Sequence, residues 1–374
     1  MHKSFYLAAA SMLALVPAFA QAEDYKVVVL QSQTGGAAFI GMAVTNGARL
    51  AANQLNAEGF MGEGNTLAVE YVDDATDRTQ TMSLFARYAS DPSVLAILGP
   101  TSGAVALAGA SSANDFQISS ITTTNTVEVL DQGPWSFILT QPSFITIPYL
   151  TEYARAVGID DCTVIGIRDI EAYVALQKEF ENQFAAAGGT INGIEQVAGT
   201  DSDFAALATK VASQTQECVF ISAPASQGAN IIMQLKQAGL DPATQILGHN
   251  AFASPEFVER GGAAVEGAIF IGDWVPGGYD DFSRAFDAAF TEAYGTPPDN
   301  WSAVGYGGMR VLANAIKNAG PDATRDGVRE QLGLTKDVQV AAGEGIYGVD
   351  ENRVPRVGMN VLQVQDGTFV RAPR

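Results

Sequence analysis

Chemistry-bearing side chains are scarce in this sequence. It holds two cysteines and two histidines in 374 residues, and beyond residue 22 His249 is the only histidine. Zinc sites need several Cys or His ligands at short spacing, and no such cluster is present. A Ser-His-Asp triad would have to use His249, and there is no Gly-x-Ser-x-Gly elbow to raise a serine. Basic residues are few as well: 21 Lys and Arg stand against 41 Asp and Glu, a formal charge of −20. That excess argues against nucleic acid and anionic membrane surfaces as partners. Long apolar runs are also lacking. The N-terminal one, residues 5–16, is too short to span a bilayer. Gly343-Glu-Gly-Ile-Tyr-Gly348 fits G-x-G-x-x-G but leads into Val-Asp-Glu-Asn rather than a helix, so it is a chance match. Catalysis, metal and cofactor are not expected.

What is present begins with an export signal over residues 1–22. Lys3 supplies the positive end, residues 5–16 the apolar run, and Ala18-Phe19-Ala20 or Ala20-Gln21-Ala22 the small residues for cleavage near Ala22. No cysteine lies near that point, so a soluble exported protein without a lipid anchor is expected. The remaining length predicts two domains.

Residues 25–30 read as an apolar strand, followed by a small-residue loop to Gly41 and a helix from Met42 to Glu58. Residues 67–72 form a second strand, and a helix carrying Leu84, Phe85 and Tyr88 follows. Next comes the stretch on which the chain is organised, LAILGPTSGAVALAGASSANDFQISSITTTNT at residues 95–126. It is strand, Gly-Pro-Thr-Ser-Gly turn, Ala-rich helix, strand, and a turn of small hydroxyl residues. In a parallel α/β sheet both turns lie at the carboxyl edge, where ligands bind. Hydroxyls and free helix N-terminal N–H groups there suit a carboxylate. A second βα series follows from residue 163 to 271, then helices over residues 281–318, and a hairpin-like end turning at Gln365-Asp-Gly367. The expected class is α/β with parallel sheets covered on both faces.

At this point the order of motifs resembles a known family. Tyr25-Lys-Val-Val-Val-Leu30 with Thr34-Gly-Gly36, the helix Asn46-Gly-Ala-Arg-Leu-Ala-Ala-Asn-Gln-Leu-Asn-Ala-Glu-Gly59, Asp73-Asp-Ala-Thr-Asp77, Ile97-Leu-Gly-Pro-Thr-Ser-Gly103 and Ser254-Pro-Glu-Phe257 resemble periplasmic type I solute-binding proteins of ABC importers. Within these, the branched-chain amino-acid binders are most similar. The resemblance implies two doubly wound parallel-sheet lobes joined by a three-segment hinge. Residues 23–141 and 273–350 would form lobe 1, and residues 142–272 and 351–374 lobe 2, with crossings near Pro142, Gly272 and Glu351. It also implies a monomer in the periplasm that captures a small carboxylate-bearing ligand between the lobes and delivers it to a permease.

By the same resemblance Thr101 and Ser102 would hold the ligand carboxylate, and Thr122 and Thr124 the amino-acid head group. Tyr173 would close over the ligand, Trp301 would line the side-chain pocket, and Phe39 with Ile40 would come from the first loop. Two departures bear on the ligand. Where an acidic residue should face the ammonium, the sequence reads Gly248-His249-Asn250-Ala251, and Asn250 brings no charge. A Tyr expected after the Cys218 strand is replaced around Ala223-Pro-Ala225. Either Asp169 or Glu171 supplies the charge, or the ligand is an amide, a urea or a carboxylate without an α-amino group. A sensor that docks on a membrane receptor is the other alternative to a transport role. In the implied topology the strands that begin at Cys162 and Cys218 are neighbours, so a disulfide is expected in an oxidising compartment.

Overall fold

The computed structural model describes residues 24–101 and 103–373; the expected signal, its cleavage point and Ser102 lie outside the described residues. The first series runs β1 (Asp24–Gln31), α1 (Ala38–Ala57), β2 (Thr66–Asp73), α2 (Arg78–Ala89), β3 (Val94–Leu98), α3 (Gly103–Phe116), β4 (Ser119–Thr122), α4 (Glu128–Asp131) and β5 (Ser136–Ile138). The second runs α5 (Ser143–Ala156), β6 (Asp161–Ile167), α6 (Glu171–Ala186), β7 (Thr190–Val197), α7 (Ala205–Ala212), β8 (Cys218–Ser222), α8 (Ala225–Gln237), β9 (Gln245–Gly248), α9 (Pro255–Gly261) and β10 (Ile269–Gly272). Then come α10 (Asp281–Tyr294), α11 (Asn300–Ala319), α12 (Arg325–Gly333) and the short strands β11 (Val338–Gln339), β12 (Ile346–Val349) and β13 (Pro355–Arg356). The hairpin β14 (Asn360–Gln365) and β15 (Thr368–Arg371) ends the series.

The strands form two main sheets. The first has the order β2-β1-β3-β4-β5 and is parallel throughout. The second, β15-β14-β10-β9-β8-β6-β7, is parallel from β10 to β7 and antiparallel at its β14–β15 edge. Because the parallel strands are buried on both faces, their sequences read as continuous apolar runs. On β1, Val27 and Val29 pack with α1 and α11, whereas Val28 and Leu30 pack with Phe85, Tyr88 and Ala113 of α2 and α3. On β6, Val164 faces Phe180 and Phe184 of α6, while Ile165 and Ile167 face the α7–α8 side. Helices α1 and α11 approach very closely: a Cβ built on Gly47 would lie 2.0 Å from the Ser302 carbonyl, and one on Gly305 2.2 Å from that of Val44.

Crossings between the sheets leave from the carboxyl end of β5 and from that of β10. The third departs from the expected position near Glu351. β13 still pairs with β12, and β14 is the first strand to join β10, so we place that crossing at residues 357–359. Gln141 ties the first and third crossings together: its amide donates to the Gly358 carbonyl (2.9 Å) and its carbonyl accepts from Val357 N (3.0 Å). Arg353 fastens the approach to that crossing. Its guanidinium donates to the carbonyls of Leu130, Gly133 and Ser136 at 2.8–2.9 Å and lies over the Phe137 ring. Arg353→Ala would strand three acceptors, at an expected cost of about 2–4 kcal/mol, which urea unfolding monitored by circular dichroism would measure.

Candidate functional site

Because β5 and β10 hand the chain over from their carboxyl ends, both sheets turn their carboxyl edges toward the hinge. In each, the strand order reverses at one point, between β1 and β3 in the first and between β6 and β8 in the second. Such switch points open a crevice where ligands bind. The turns that end these strands are therefore the candidate site: Ser32–Thr34 and Gly99–Thr101 on one lobe, Arg168–Ile170 and Ala223–Ala225 on the other.

On the first lobe the hydroxyls are arranged differently from the sequence expectation. Thr101 is fully buried and its hydroxyl is spent within the protein: it donates to Gln31 Oε1 (2.9 Å) and accepts from Ser32 N (2.8 Å). Its carbonyl accepts from the Thr123 hydroxyl at 2.6 Å. Ser32 Oγ donates to Asp74 Oδ1 (2.6 Å), and Thr81 Oγ1 to Asp74 Oδ2. Thr122 is buried, with its hydroxyl toward the Phe137 carbonyl and its own carbonyl accepting from Leu139 N. Thr124 pairs with the Thr126 hydroxyl and N–H. The hydroxyls face inward because desolvated donors take the nearest unpaired backbone groups. They hold the two turns against each other, and Thr101 is a positioning residue here. Gly99 permits this closeness, since a Cβ there would lie 1.7 Å from the Leu30 carbonyl.

Two of the aromatic residues expected at the site stay open to solvent in part. Phe39 is 59% exposed. It sits with Ile40 in the first turn of α1, a helix that begins before the expected Met42. Trp301 is half-buried in the first turn of α11 and outside the packed core.

On the second lobe, Tyr173 lies in the first turn of α6, its ring 5.4 Å from the His249 ring. Burial pushes its hydroxyl up to about 12, so it stays neutral. His249 is buried between Tyr173 and Phe252. Burial takes its imidazole down to about 4, against the pull of the Asn250 amide oxygen and the Ala223 carbonyl. Its Nδ1 accepts from Ala251 N, and the ring is uncharged at neutral pH. Asn250 is half-buried in the short turn that follows. Asp169 is exposed and accepts from Gly199 N at one oxygen (2.7 Å), and Glu171 is exposed at the start of α6.

A buried clamp that sequence reasoning passed over lies at the hinge. Asn300, the first residue of α11, accepts from Asp273 N (2.8 Å) and Trp274 N (3.2 Å) and donates to Asp273 Oδ2 (3.3 Å). Its signal was modest: Asp299 and Ser302 form a capping box that fixes the helix start beside it. At the opposite sheet edge, away from the crevice, Cys162 and Cys218 stand in register on β6 and β8. Their Cα atoms are 4.5 Å apart and their sulfurs are bonded.

Residues 24–368 match the sequence profile of a family described as periplasmic binding protein. The Leu/Ile/Val-binding protein BraC3 of Rhizobium johnstonii is 24% identical over 87% of this chain and 88% of its own length. A crystal structure of the leucine binding protein LivK from Thermotoga maritima superimposes with a TM-score of 0.79 at 24% identity, covering 93% of this chain and 97% of that one. A solute-binding protein from R. palustris, solved with benzoate, superimposes with a TM-score of 0.76 at 19% identity, covering 93% and 95%.

Proposed function

From the premise that this chain belongs to the periplasmic binding protein family, and is thus a solute-binding protein and not an enzyme, we propose that it captures a small carboxylate-bearing solute between its lobes and delivers it to the permease of an ABC importer. The observation that carries this reading is the convergence of both sheets' carboxyl edges on the hinge, which brings four strand-end turns onto one crevice. The start of α3 beside Thr101 supplies N–H groups for an anion, and Tyr173, Trp301 and Phe39 supply apolar surface. Action in the periplasm follows from the same reading. A branched-chain amino acid is the first candidate, as in the names of the Rhizobium and Thermotoga proteins.

A second reading has its own support. The position at which a carboxylate would meet an ammonium holds Asn250 beside an uncharged His249, and the neighbouring acids Asp169 and Glu171 are both exposed. A buried ammonium needs a paired charge. A carboxylate without an α-amino group, such as benzoate, fits that surface, and the R. palustris protein binds one. Thermal-shift and calorimetric titration against leucine, isoleucine, valine, benzoate and simple amides separate the two readings. A carboxylate at a hundredfold excess over its Kd should stabilise the protein by about 2.7 kcal/mol. Stabilisation by neutral amides alone would overturn the carboxylate assignment. Trp301→Ala should weaken the bound solute about tenfold or more while leaving the melting temperature of the free protein nearly unchanged.

A further inference from the structure

The motif Asp73-Asp74-Ala75-Thr76-Asp77 forms the turn from β2 to α2. Gln31 and Asp73, the last residues of β1 and β2, are in register, so this turn emerges beside the crevice turn that follows β1. Asp73 Oδ1 accepts from Gln33 N (2.8 Å) and Thr34 N (3.1 Å), and its Oδ2 accepts from the Thr34 hydroxyl (2.6 Å). The Thr76 hydroxyl donates to the Thr34 carbonyl (3.0 Å) and accepts from Ala37 N (3.1 Å). Asp74, which holds the Ser32 hydroxyl, also accepts from Thr76 N (3.0 Å). A Cβ on Gly35 would lie 2.3 Å from the Ala75 carbonyl, so the two turns meet backbone to backbone.

Two observations set this brace apart from ordinary turn packing. Ala75 and Thr76 have φ of 53° and 59°, the left-handed region that residues with a Cβ avoid, β-branched threonine most of all. Such conformations persist only where the surroundings over-determine them, and they concentrate at functional sites. In addition, α1 has no cap of its own. Its N-cap is Ala37, and its third helical residue, Ile40, cannot reach back with an acceptor as a capping-box Glu or Gln would. Thr76 supplies that acceptor from another segment, because the Ala37 N–H ends on its hydroxyl. The position of the first turn of α1, with Phe39 and Ile40, is therefore set from outside the helix.

We propose that Asp73 and Thr76 are positioning residues for solute capture, acting through residues 32–37 and the start of α1. They keep the first-lobe wall preorganised, so losing either lowers the fraction of protein ready to bind and raises the apparent Kd. The proposal rests on the crevice being the solute site.

Both side chains are half-buried at the surface, so their variants should fold. Calorimetric titration with leucine and with benzoate, together with hydrogen exchange over residues 32–40 of the free protein, tests the role. In Asp73→Ala and in Thr76→Val the exchange should quicken, and the Kd of whichever probe binds the parent should rise about tenfold. Thr76→Ser keeps the hydroxyl and should restore both. Asp91→Ala is the comparison for a purely structural loss, since Asp91 holds Ser93 and Lys26 at the amino edge of the same sheet. Its Kd should stay within about twofold of the parent's. An unchanged Kd in Asp73→Ala and Thr76→Val, or an equal rise in Asp91→Ala, overturns the positioning role. A parent that binds neither probe would instead sink the carboxylate reading. Exchange then decides alone: an unchanged rate over residues 32–40 overturns the role, and a faster one that Thr76→Ser restores sustains it.

Discussion

Reduction of the Cys162–Cys218 disulfide is expected to lower folding stability by about 4 kcal/mol, the loop-entropy figure for residues 56 apart in sequence. The bond joins β6 to β8 at the amino edge of the second sheet, where both cysteines are fully buried. Unfolded, the oxidised chain keeps the βα segment between them closed, whereas the reduced chain gains that loop's freedom. Cys162→Ala with Cys218→Ala should show the same loss, reduced somewhat because two small apolar side chains fit a site already dry. Urea unfolding with and without dithiothreitol gives the number, and free-thiol titration of the folded protein should detect no thiol until it is reduced. Equal unfolding midpoints under both conditions would show that the bond does not constrain the unfolded chain. The crevice lies at the other edge of the sheet, so solute affinity in the folded reduced protein should change little.

Asp273→Asn should raise stability at neutral pH by an amount on the order of 2 kcal/mol. The carboxyl is buried at the second crossing, and burial pushes its pKa up to about 6 despite the hydrogen bond from Asn300. No charged group lies among the causes of that shift. A group whose pKa is raised on folding binds more protons folded than unfolded. Its contribution is therefore fully present below pH ~4, declines as pH rises from about 4 to about 6, and is gone above. Asn keeps the acceptor for Asn300 and carries no charge, so the variant should lose this stretch of pH dependence. Melting temperatures between pH 4 and pH 7.5 test it: the gap between variant and parent should widen with pH. A variant destabilised equally at both ends would mean that packing at the clamp, not ionisation, dominates.

The fold was legible where burial is two-sided. Val27-Val28-Val29-Leu30 can be buried on both faces only in a covered parallel sheet, and the Gly-stopped helices between such runs give the βα order. Short-range signals failed where a distant contact overrode them. Residues up to Gly41 read as a loop because glycine and alanine frame them, yet α1 begins at Ala38, and Gly41 is small because its Cα lies against the Ser32 backbone. Ser143–Ala156, for which the sequence reading gave no element, is a helix with Pro148 inside it that buries Ile147, Leu150 and Ala154. The third crossing fell a few residues late because β13, two residues long, is held by β12 and by Arg353, neither of which leaves a local signature.

The sequence by itself determined the class of fold and, through the family resemblance, the adjacency of the two cysteines' strands. The first follows from periodicity and connectivity, which are properties of neighbours along the chain. Only the tertiary structure decided which way the hydroxyls of Thr101, Thr122 and Thr124 point, that Asn300 clamps Asp273, and that His249 is uncharged. For Thr101, Thr122 and Asn300 the deciding partner lies 70, 15 and 27 residues away and its identity is set by packing, whereas Thr124 turns to Thr126 beside it and His249 is uncharged because the fold buries it.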